Sequence, residues 1–259
     1  MKANQAEKIN VRGIDFFNVT LDEAVDIAKS FIESPVNKTP SVIYTPNSEI
    51  VQKCIDNKKN SDNKLFEIIN SASMVIPDGA GVVLASKILG TPLKQKVAGI
   101  DLAYRLIQYL DDTGGKLFLL GAREEVVKTA KENLNKKHKN LNVFINNGFF
   151  NKEADSEENK TVVEKINQAE PDVVFVCLGM PWQEPWIYEN KSKLNAKLLI
   201  GLGGTIDDIA GVVKRAPKIL IKLNLEWFYR LIKNPSRLKR MMRLPRFVFG
   251  TMFLSKKEL

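Results

Sequence analysis

The sequence predicts an α/β protein in which helices cover both faces of a mainly parallel β-sheet, followed by a basic helical appendage. Continuous apolar runs of strand length, such as "DVVFVCLG" (172–179), alternate with helical patterns along most of the chain, which is typical of a doubly covered parallel sheet. The 259 residues suffice to enclose a large core. The positive charge is concentrated at the C-terminal end.

The first half of the chain opens with a strand in "VRGIDFFNV" (11–19) and a helix in "TLDEAVDIAKSFIE" (20–33). Thr20 and Glu23 are spaced as a capping box, which marks the start of that helix. The remaining elements of this half are a strand at 41–45, a helix from Ser48, a polar insert at 56–64, a short helix, a strand at 73–77, and helices at 79–90 and 99–112.

The second half alternates more regularly between buried strands and helices. Glycines at 114–115 bound the first of these strands, "KLFLLGA". The predicted strands are 114–122, 141–146, 172–179 and 196–204, and the predicted helices are 123–137, 157–169 and 184–193. This alternation extends the parallel sheet.

The net charge of +9 divides the chain into two parts. Residues 211–259 contain 13 Lys and Arg against two acids, whereas the first 210 residues have a net charge of −2. We therefore predict a nearly neutral catalytic domain at 1–211 and a basic appendage at 212–259, which would seek a polyanion.

The appendage has an amphipathic pattern after Pro217. At about 100° per residue, Lys218, Lys222, Arg230 and Lys233 share one arc, opposite an apolar set that includes Trp227. This pattern favours an anionic membrane surface. A helix docked on its own domain would explain the apolar side but not the charge. Nucleic acid is disfavoured because no helix-turn-helix or aromatic RNA-binding platform is evident.

Four polar or glycine-rich stretches follow predicted strands. They are "TPN" (45–47), "PDG" (77–79), "LGMPWQEPW" (178–186) and "GLGGTID" (201–207). Ligands of open parallel sheets bind outside the carboxyl ends of the strands, so these stretches together predict the site.

Asp78 is the candidate catalytic residue among them. A carboxylate that a pocket partly desolvates becomes a better base, and Gly79 and Gly81 leave room for a substrate. Asp is also a favoured N-cap, so Asp78 could instead begin the following helix. The two roles are compatible.

The other three stretches offer binding groups. Thr45 and Asn47 could hydrogen-bond a phosphate or sugar, although a strand-ending turn selects the same residue types. Trp182 or Trp186 could stack on a base or pack against the domain. In the last stretch backbone amides could cradle a phosphate, through Gly201, Gly203, Gly204 and Thr205. It is not a dinucleotide fingerprint, because Ile206 occupies the third glycine position.

Several absences narrow the chemistry further. His138 is the only histidine and is expected at a solvated helix end, which disfavours catalytic triads and histidine-rich metal sites. The paired acids 111–112 and 207–208 are adjacent instead of spaced as Asp-x-Asp, so we expect no metal and no cofactor. Cys54 and Cys177 are far apart in sequence, so we expect both to be reduced thiols. The polar N-terminus lacks the pattern of a signal peptide, so we expect a cytoplasmic protein.

These stretches resemble the WecG/TagA/CpsF family of bacterial glycosyltransferases. The matching pieces run in order from about residue 11 to 247: "TPNSEIV", "IPDGAGVV", "GIDL", "LFLLGA", "NNGFF", "LGMPWQEPW", "GLGGTIDDIAGVVKRAP" and "LEWFYRLIKNPSRLKRMMRLPRF". The resemblance implies a Rossmann-like domain of the GT-E type. It also implies inverting, metal-independent transfer to undecaprenyl-diphosphate-linked sugars at the inner face of the plasma membrane, where the appendage would attach peripherally.

The resemblance also assigns roles to residues. Asp78 matches the family's proposed general base, and Thr45 and Gln183 match further active-site residues. Lys96 stands where the family commonly has arginine, so its charge is kept but bidentate phosphate binding is not. The appendage is expected to close over the pocket and to contribute arginines such as Arg230, Arg237 or Arg240.

The TagA branch transfers N-acetylmannosamine (ManNAc) from UDP-ManNAc to N-acetylglucosamine (GlcNAc)-diphospho-undecaprenol, for the linkage unit of wall teichoic acid, and this is the activity we expect. One alternative is another UDP-sugar donor, with ManNAc uronate, glucose or galactose, for a different surface polymer. Another is a non-catalytic protein that binds nucleotides or polyanions. The sequence leaves the oligomeric state open, including a homo-oligomer.

Overall fold

A computed structural model describes residues 3–35, 39–213, 216–217, 219–220, 228–229, 232 and 243–253. The described residues form a six-stranded parallel sheet in the order β4-β3-β8-β7-β5-β6. A separate two-stranded antiparallel sheet pairs β1 with β2. The predicted α/β architecture with a parallel sheet is therefore confirmed.

The strands are short and mostly apolar. Their bounds are β1 Lys8–Val11, β2 Ile14–Phe17, β3 Ser41–Tyr44, β4 Met74–Val75, β5 Lys116–Gly121, β6 Asn142–Asn146, β7 Val173–Cys177 and β8 Leu198–Gly201. Strands β7 and β8 are buried along their whole length, which is why they lack the apolar–polar alternation of a half-exposed strand.

Helices connect these strands. Their bounds are α1 Leu21–Glu33, α2 Ser48–Lys59, α3 Lys64–Asn70, α4 Ala80–Ile88, α5 Gly99–Thr113, α6 Glu124–Lys137, α7 Glu157–Ala169, α8 Gln183–Asn190, α9 Thr205–Ile209 and, near the C-terminus, α10 Arg243–Met252. The capping box of α1 is present: the Thr20 side chain accepts from the Glu23 amide, and the Thr20 amide donates to the Glu23 carboxylate.

The opening strand differs from the prediction. The sequence pattern indicated one strand at 11–19, but the structure forms a hairpin in which Val11 pairs with Ile14. Arg12 and Gly13 make the two-residue turn, and both have positive φ angles, of 57° and 91°. A turn of this kind matches the twist of antiparallel strands.

Two hydrophobic layers cover the sheet. One layer contains apolar side chains of α1, α5, α6 and α9, and the other contains those of α2, α3, α4, α7, α8 and α10. Both cysteines are free and buried within these layers. The core thus extends across the whole sheet and fixes the positions of the strand ends.

Helix α10 packs against α2 and α4. Phe247 is completely buried there. Around it, Arg243 lies 3.4 Å from Glu49, and Arg246 lies 3.2 Å from Asp56. The alternative of docking on the domain, which the sequence left open for the appendage, therefore holds for this helix. Within the described residues, none of the helices combines the length and the apolar character needed to cross a membrane.

His138 also departs from its predicted environment. The sequence "NKKHKN" suggested a solvated helix end, but only 4% of His138 is exposed. Its Nδ1 lies 3.1 Å from the carboxylate of Asp111, at the end of α5. The prediction of solvent exposure was wrong because a distant acid provides the partner that a buried imidazole needs.

Candidate active site

The candidate site is centred on the carboxyl ends of β3 and β8, which are neighbours in the sheet. These neighbouring parallel strands lead into helices on opposite faces of the sheet: α2 buries Val51 and Cys54 in one layer, and α9 buries Ile206 in the other. Ligand crevices of open parallel sheets form where the chain leaves neighbouring strands toward opposite faces, so we place the candidate site at the carboxyl ends of β3 and β8.

Thr45 directly follows β3 at this point of the sheet. Its hydroxyl donates to the main-chain oxygen of Gly201, at the end of β8, over 2.8 Å. The first residue of α5, Gly99, lies so close that an added Cβ would be 3.1 Å from the Thr45 hydroxyl oxygen. The ends of β3 and β8 and the start of α5 therefore meet at Thr45.

Asn47 caps helix α2. Its side-chain oxygen accepts from the amides of Glu49 and Ile50, at 3.0 and 3.1 Å, which satisfies two donors that the helix itself leaves free. A Cβ on Gly79 would lie 3.6 Å from the Asn47 Cβ. Asn47 is therefore a structural cap next to the Asp78 loop, and its predicted contact with substrate stays a prediction.

Asp78 follows β4, which is the neighbour of β3 in the sheet. The side chain is half-buried. The N-cap position of α4 belongs to Gly79, whose φ of 101° favours glycine. Asp78 therefore does not occupy the N-cap position itself, and its role as the catalytic base stays a prediction.

Lys96 belongs to the same loop cluster. The amide of the next residue, Val97, donates to the main-chain oxygen of Pro77 over 3.0 Å, so this segment runs beside the Asp78 loop. Lys96 is also half-buried. The connection brings a positive charge and the candidate base to one part of the sheet edge.

Gln183 fixes the glycine loop, which we define as residues 201–205. Its Oε1 accepts from the Gly203 amide at 2.7 Å. Its Nε2 lies so near Gly201 that an added Cβ there would be only 2.7 Å away. Gln183 is only 4% exposed, so it supports the glycine loop from a buried position.

The loop also uses its own hydrogen-bonding groups. The Thr205 hydroxyl donates to the Leu202 oxygen at 2.9 Å, and Thr205 is buried. Because the Gly203 amide is bonded to Gln183, the loop has fewer donors to offer to a phosphate than the sequence suggested. Gly204 precedes α9 as its N-cap, and its predicted role in binding stays a prediction.

Glu184 is a residue to which the sequence assigned no role. Only 3% of it is exposed, and burial raises the pKa of its carboxyl group. Its Oε1 accepts from Gln183 Nε2 at 3.0 Å, whereas Oε2 is buried and has no hydrogen-bond partner among the described residues. The available signal was an acid beside the apolar "PWIY" segment in "QEPWIY".

The two tryptophans of the "LGMPWQEPW" stretch differ in environment. Trp186 is 1% exposed, and its indole nitrogen donates to Asn159 at 2.7 Å. Trp182 is 58% exposed, with the Lys152 ammonium 5.9 Å from its ring. Packing therefore explains Trp186, and only Trp182 is accessible to a ligand.

The remaining predicted site residues are the arginines of the appendage. Arg230, Arg237 and Arg240 lie outside the described residues, so their contribution stays a prediction. Asp208, one of the adjacent acids after the glycine loop, accepts from the Tyr104 hydroxyl at 2.7 Å. That contact ties α9 to α5.

A parallel α/β sheet with polar groups gathered at the carboxyl ends of its strands defines a ligand-binding protein of the Rossmann-like class. Residues 9–258 match the Glycosyl transferase WecG/TagA/CpsF family. The chain belongs to this family and is a glycosyltransferase.

Named relatives agree with this assignment. Proteins from Staphylococcus aureus strains MW2, NCTC 8325 / PS 47 and MRSA252 are each 34% identical to this chain over 242 residues, which cover 93% of this chain and 91% of the relative. All three are named N-acetylglucosaminyldiphosphoundecaprenol N-acetyl-beta-D-mannosaminyltransferase.

Proposed function

We propose that this protein transfers ManNAc from UDP-ManNAc to GlcNAc-diphospho-undecaprenol, with inversion at the anomeric carbon and without a metal ion. The principal support is the convergence of Thr45, Asp78 and Gln183 on one strand-end cluster. The names of the Staphylococcus aureus relatives specify the acceptor and the transferred sugar for those proteins.

Asp78 is the general base in this proposal. Its carboxylate takes the proton of the acceptor GlcNAc 4-hydroxyl as that oxygen bonds to the anomeric carbon of the donor. The bond from the anomeric carbon to the UDP oxygen breaks on the opposite face, so the configuration inverts. A half-buried position after β4 suits this role, because partial desolvation strengthens a carboxylate as a base.

The departing UDP develops negative charge that needs a positive environment. Lys96 reaches this part of the sheet through the Val97–Pro77 hydrogen bond, and the glycine loop adds polar backbone on the β8 side. Arg230, Arg237 and Arg240 complete the charge in our proposal when the appendage closes over the acceptor. Preorganised charge of this kind stabilises the transition state more than the ground state.

The basic appendage places the enzyme at the cytoplasmic face of the membrane in our proposal. Helix α10 exposes Phe249 by 60% and Met252 by 54%, and Phe253, directly after the helix, by 86%. Residues 211–259 contain 13 basic and two acidic side chains. Exposed apolar side chains within a strongly basic segment favour an anionic bilayer surface.

Turnover with defined substrates tests the activity. UDP release is measured with UDP-ManNAc and a short-chain lipid-diphosphate GlcNAc acceptor, and then with UDP-linked ManNAc uronate, glucose and galactose. We expect acceptor-dependent release with UDP-ManNAc above the other donors. A preference for another donor would reassign the sugar, and no release with any donor would support a non-catalytic binding protein.

Liposome binding tests the membrane proposal. The double variant Phe249→Ser/Phe253→Ser should bind anionic liposomes at least about tenfold more weakly, because each substitution removes a large apolar side chain from the bilayer. The matched control is Tyr188→Ser, which removes an aromatic side chain that is 41% exposed on α8. Equal binding by all three proteins would contradict this role for α10.

A further inference from the structure

We infer that Glu184 is a positioning residue that orients the Gln183 amide, and that this amide in turn holds the glycine loop at the end of β8. Glu184 has no part in the reaction steps proposed above. The expected effect on turnover rests on the proposed function, whereas the effect on the loop itself does not.

The hydrogen bonds give Gln183 one required orientation. Its Oε1 must face the Gly203 amide, a donor 2.7 Å away, so its Nε2 must face an acceptor. Glu184 Oε1 is that acceptor, at 3.0 Å. A flipped amide would point Gln183 Nε2, which is a donor, at the Gly203 amide, which is also a donor. Gln183 and Glu184 are both too buried for water to satisfy these groups instead.

The electrostatic environment of Glu184 determines which protonation state is favoured there. Among residues 3–35, 39–213 and the described parts of the appendage, no basic side chain forms an ion pair with it. Tyr44 of β3 and Cys54 of α2 are titratable groups that interact electrostatically with Glu184. Burial raises the pKa of both, to about 12 for Cys54. The Tyr44 hydroxyl donates to the main-chain oxygen of Glu184 and not to its carboxyl group.

The protonated form of this carboxyl group is therefore favoured more than that of an exposed glutamate. Burial raises the pKa of Glu184, and the protonated acid still presents an acceptor to Gln183 without leaving a charge in the core. Ionisation as the pH rises would place a negative charge in this buried position beside Gln183. The clamp formed by Glu184 and Gln183 should consequently loosen as the pH rises.

Two substitutions separate the acceptor from the ionisable group. Glu184→Gln copies the shape of the protonated acid and keeps an acceptor for Gln183, but it cannot ionise. Glu184→Leu removes the acceptor at similar volume. Glu184→Gln should keep the glycine loop in place, whereas Glu184→Leu should loosen it. If Glu184 served only to fill space, leucine would be tolerated at this buried position.

Hydrogen exchange of the peptide that contains residues 201–205 is the direct test. Glu184→Leu should accelerate exchange of the Gly203 amide at least about tenfold, because this amide loses a fixed acceptor. Glu184→Gln should leave exchange within about threefold of wild type at neutral pH. Equal exchange in all three proteins would overturn the inference, whether or not the protein transfers sugar.

Turnover provides the second readout. As pH rises, the kcat of wild type should fall relative to that of Glu184→Gln, because only the wild-type side chain can ionise. Glu184→Leu should lower kcat about tenfold, and the double variant Gln183→Ala/Glu184→Leu should be no slower than Gln183→Ala alone. Multiplicative losses, or the same pH dependence of kcat in wild type and Glu184→Gln, would overturn the inference. Absence of acceptor-dependent turnover in the wild type would count against the proposed function only.

Discussion

Gly201→Ala tests how the glycine loop is supported. Gly201 ends β8, and an added Cβ would lie 2.7 Å from Gln183 Nε2 and 3.2 Å from its Cδ. The backbone at Gly201 does not require glycine, since its φ is not positive. The substitution therefore acts by displacing Gln183, a side chain that is only 4% exposed and has little room to move.

The expected destabilisation follows from the two contacts of Gln183. Displacement breaks its hydrogen bonds to the Gly203 amide and to Glu184. Each bond contributes about 1 kcal/mol net, and overpacking adds about 1–3 kcal/mol. We expect the free energy of unfolding to fall by about 3–5 kcal/mol in urea titrations, and turnover to fall with it because the loop shifts.

Gly250→Ala is the matched control. A Cβ at Gly250 would come no closer than 3.9 Å to the Arg12 guanidinium, and alanine favours the interior of α10 by up to about 1 kcal/mol. This variant should be as stable as wild type or slightly more stable. If the free energy of unfolding of Gly201→Ala were also within about 0.5 kcal/mol of that of wild type, Gln183 would not be a fixed support of the loop.

Three further predictions concern stability. Phe247→Ala should lower the free energy of unfolding by about 3–5 kcal/mol, because the Phe247 side chain of α10 is fully buried against the domain. An unchanged melting temperature would contradict docking of α10. Asn47→Ala should lower the free energy of unfolding by about 1 kcal/mol through loss of the α2 cap. A large loss of turnover in protein that is still folded would indicate that Asn47 contacts the substrate. The pKa of Glu184 is raised above 4.5 in the folded protein, so wild type should lose stability relative to Glu184→Gln as pH rises above that value. Urea titrations across pH should show at most about 1.4 kcal/mol per pH unit, and a constant difference would contradict the burial argument.

The sequence predicted the parts of this structure that depend on local pattern. Continuous apolar runs such as residues 173–177 predicted parallel strands correctly, because a strand buried on both faces needs apolar residues throughout. The capping box at Thr20 was equally local. The hairpin turn was missed because arginine is an uncommon residue at positive φ, as at Arg12.

Long-range partners account for most of the other differences. His138 is buried because Asp111, 27 residues earlier, lies beside it in the fold. The carboxyl group of Glu184 is buried beneath the glycine loop because α8 begins at Gln183 and orients both side chains inward. Strand-end chemistry could be read from the sequence around Thr45 and Asp78, whereas the hydrogen bonds that organise it could not.

Acceptor-dependent UDP release by wild type and by Asp78→Asn is the most direct test of the central proposal. Loss of the base should reduce kcat by about 10²–10⁴-fold, with UDP binding and melting temperature unchanged. Asp112→Asn, which removes an exposed carboxylate near the end of α5, should retain full activity. Turnover by Asp78→Asn at a rate close to that of wild type would contradict the assignment of Asp78 as the base.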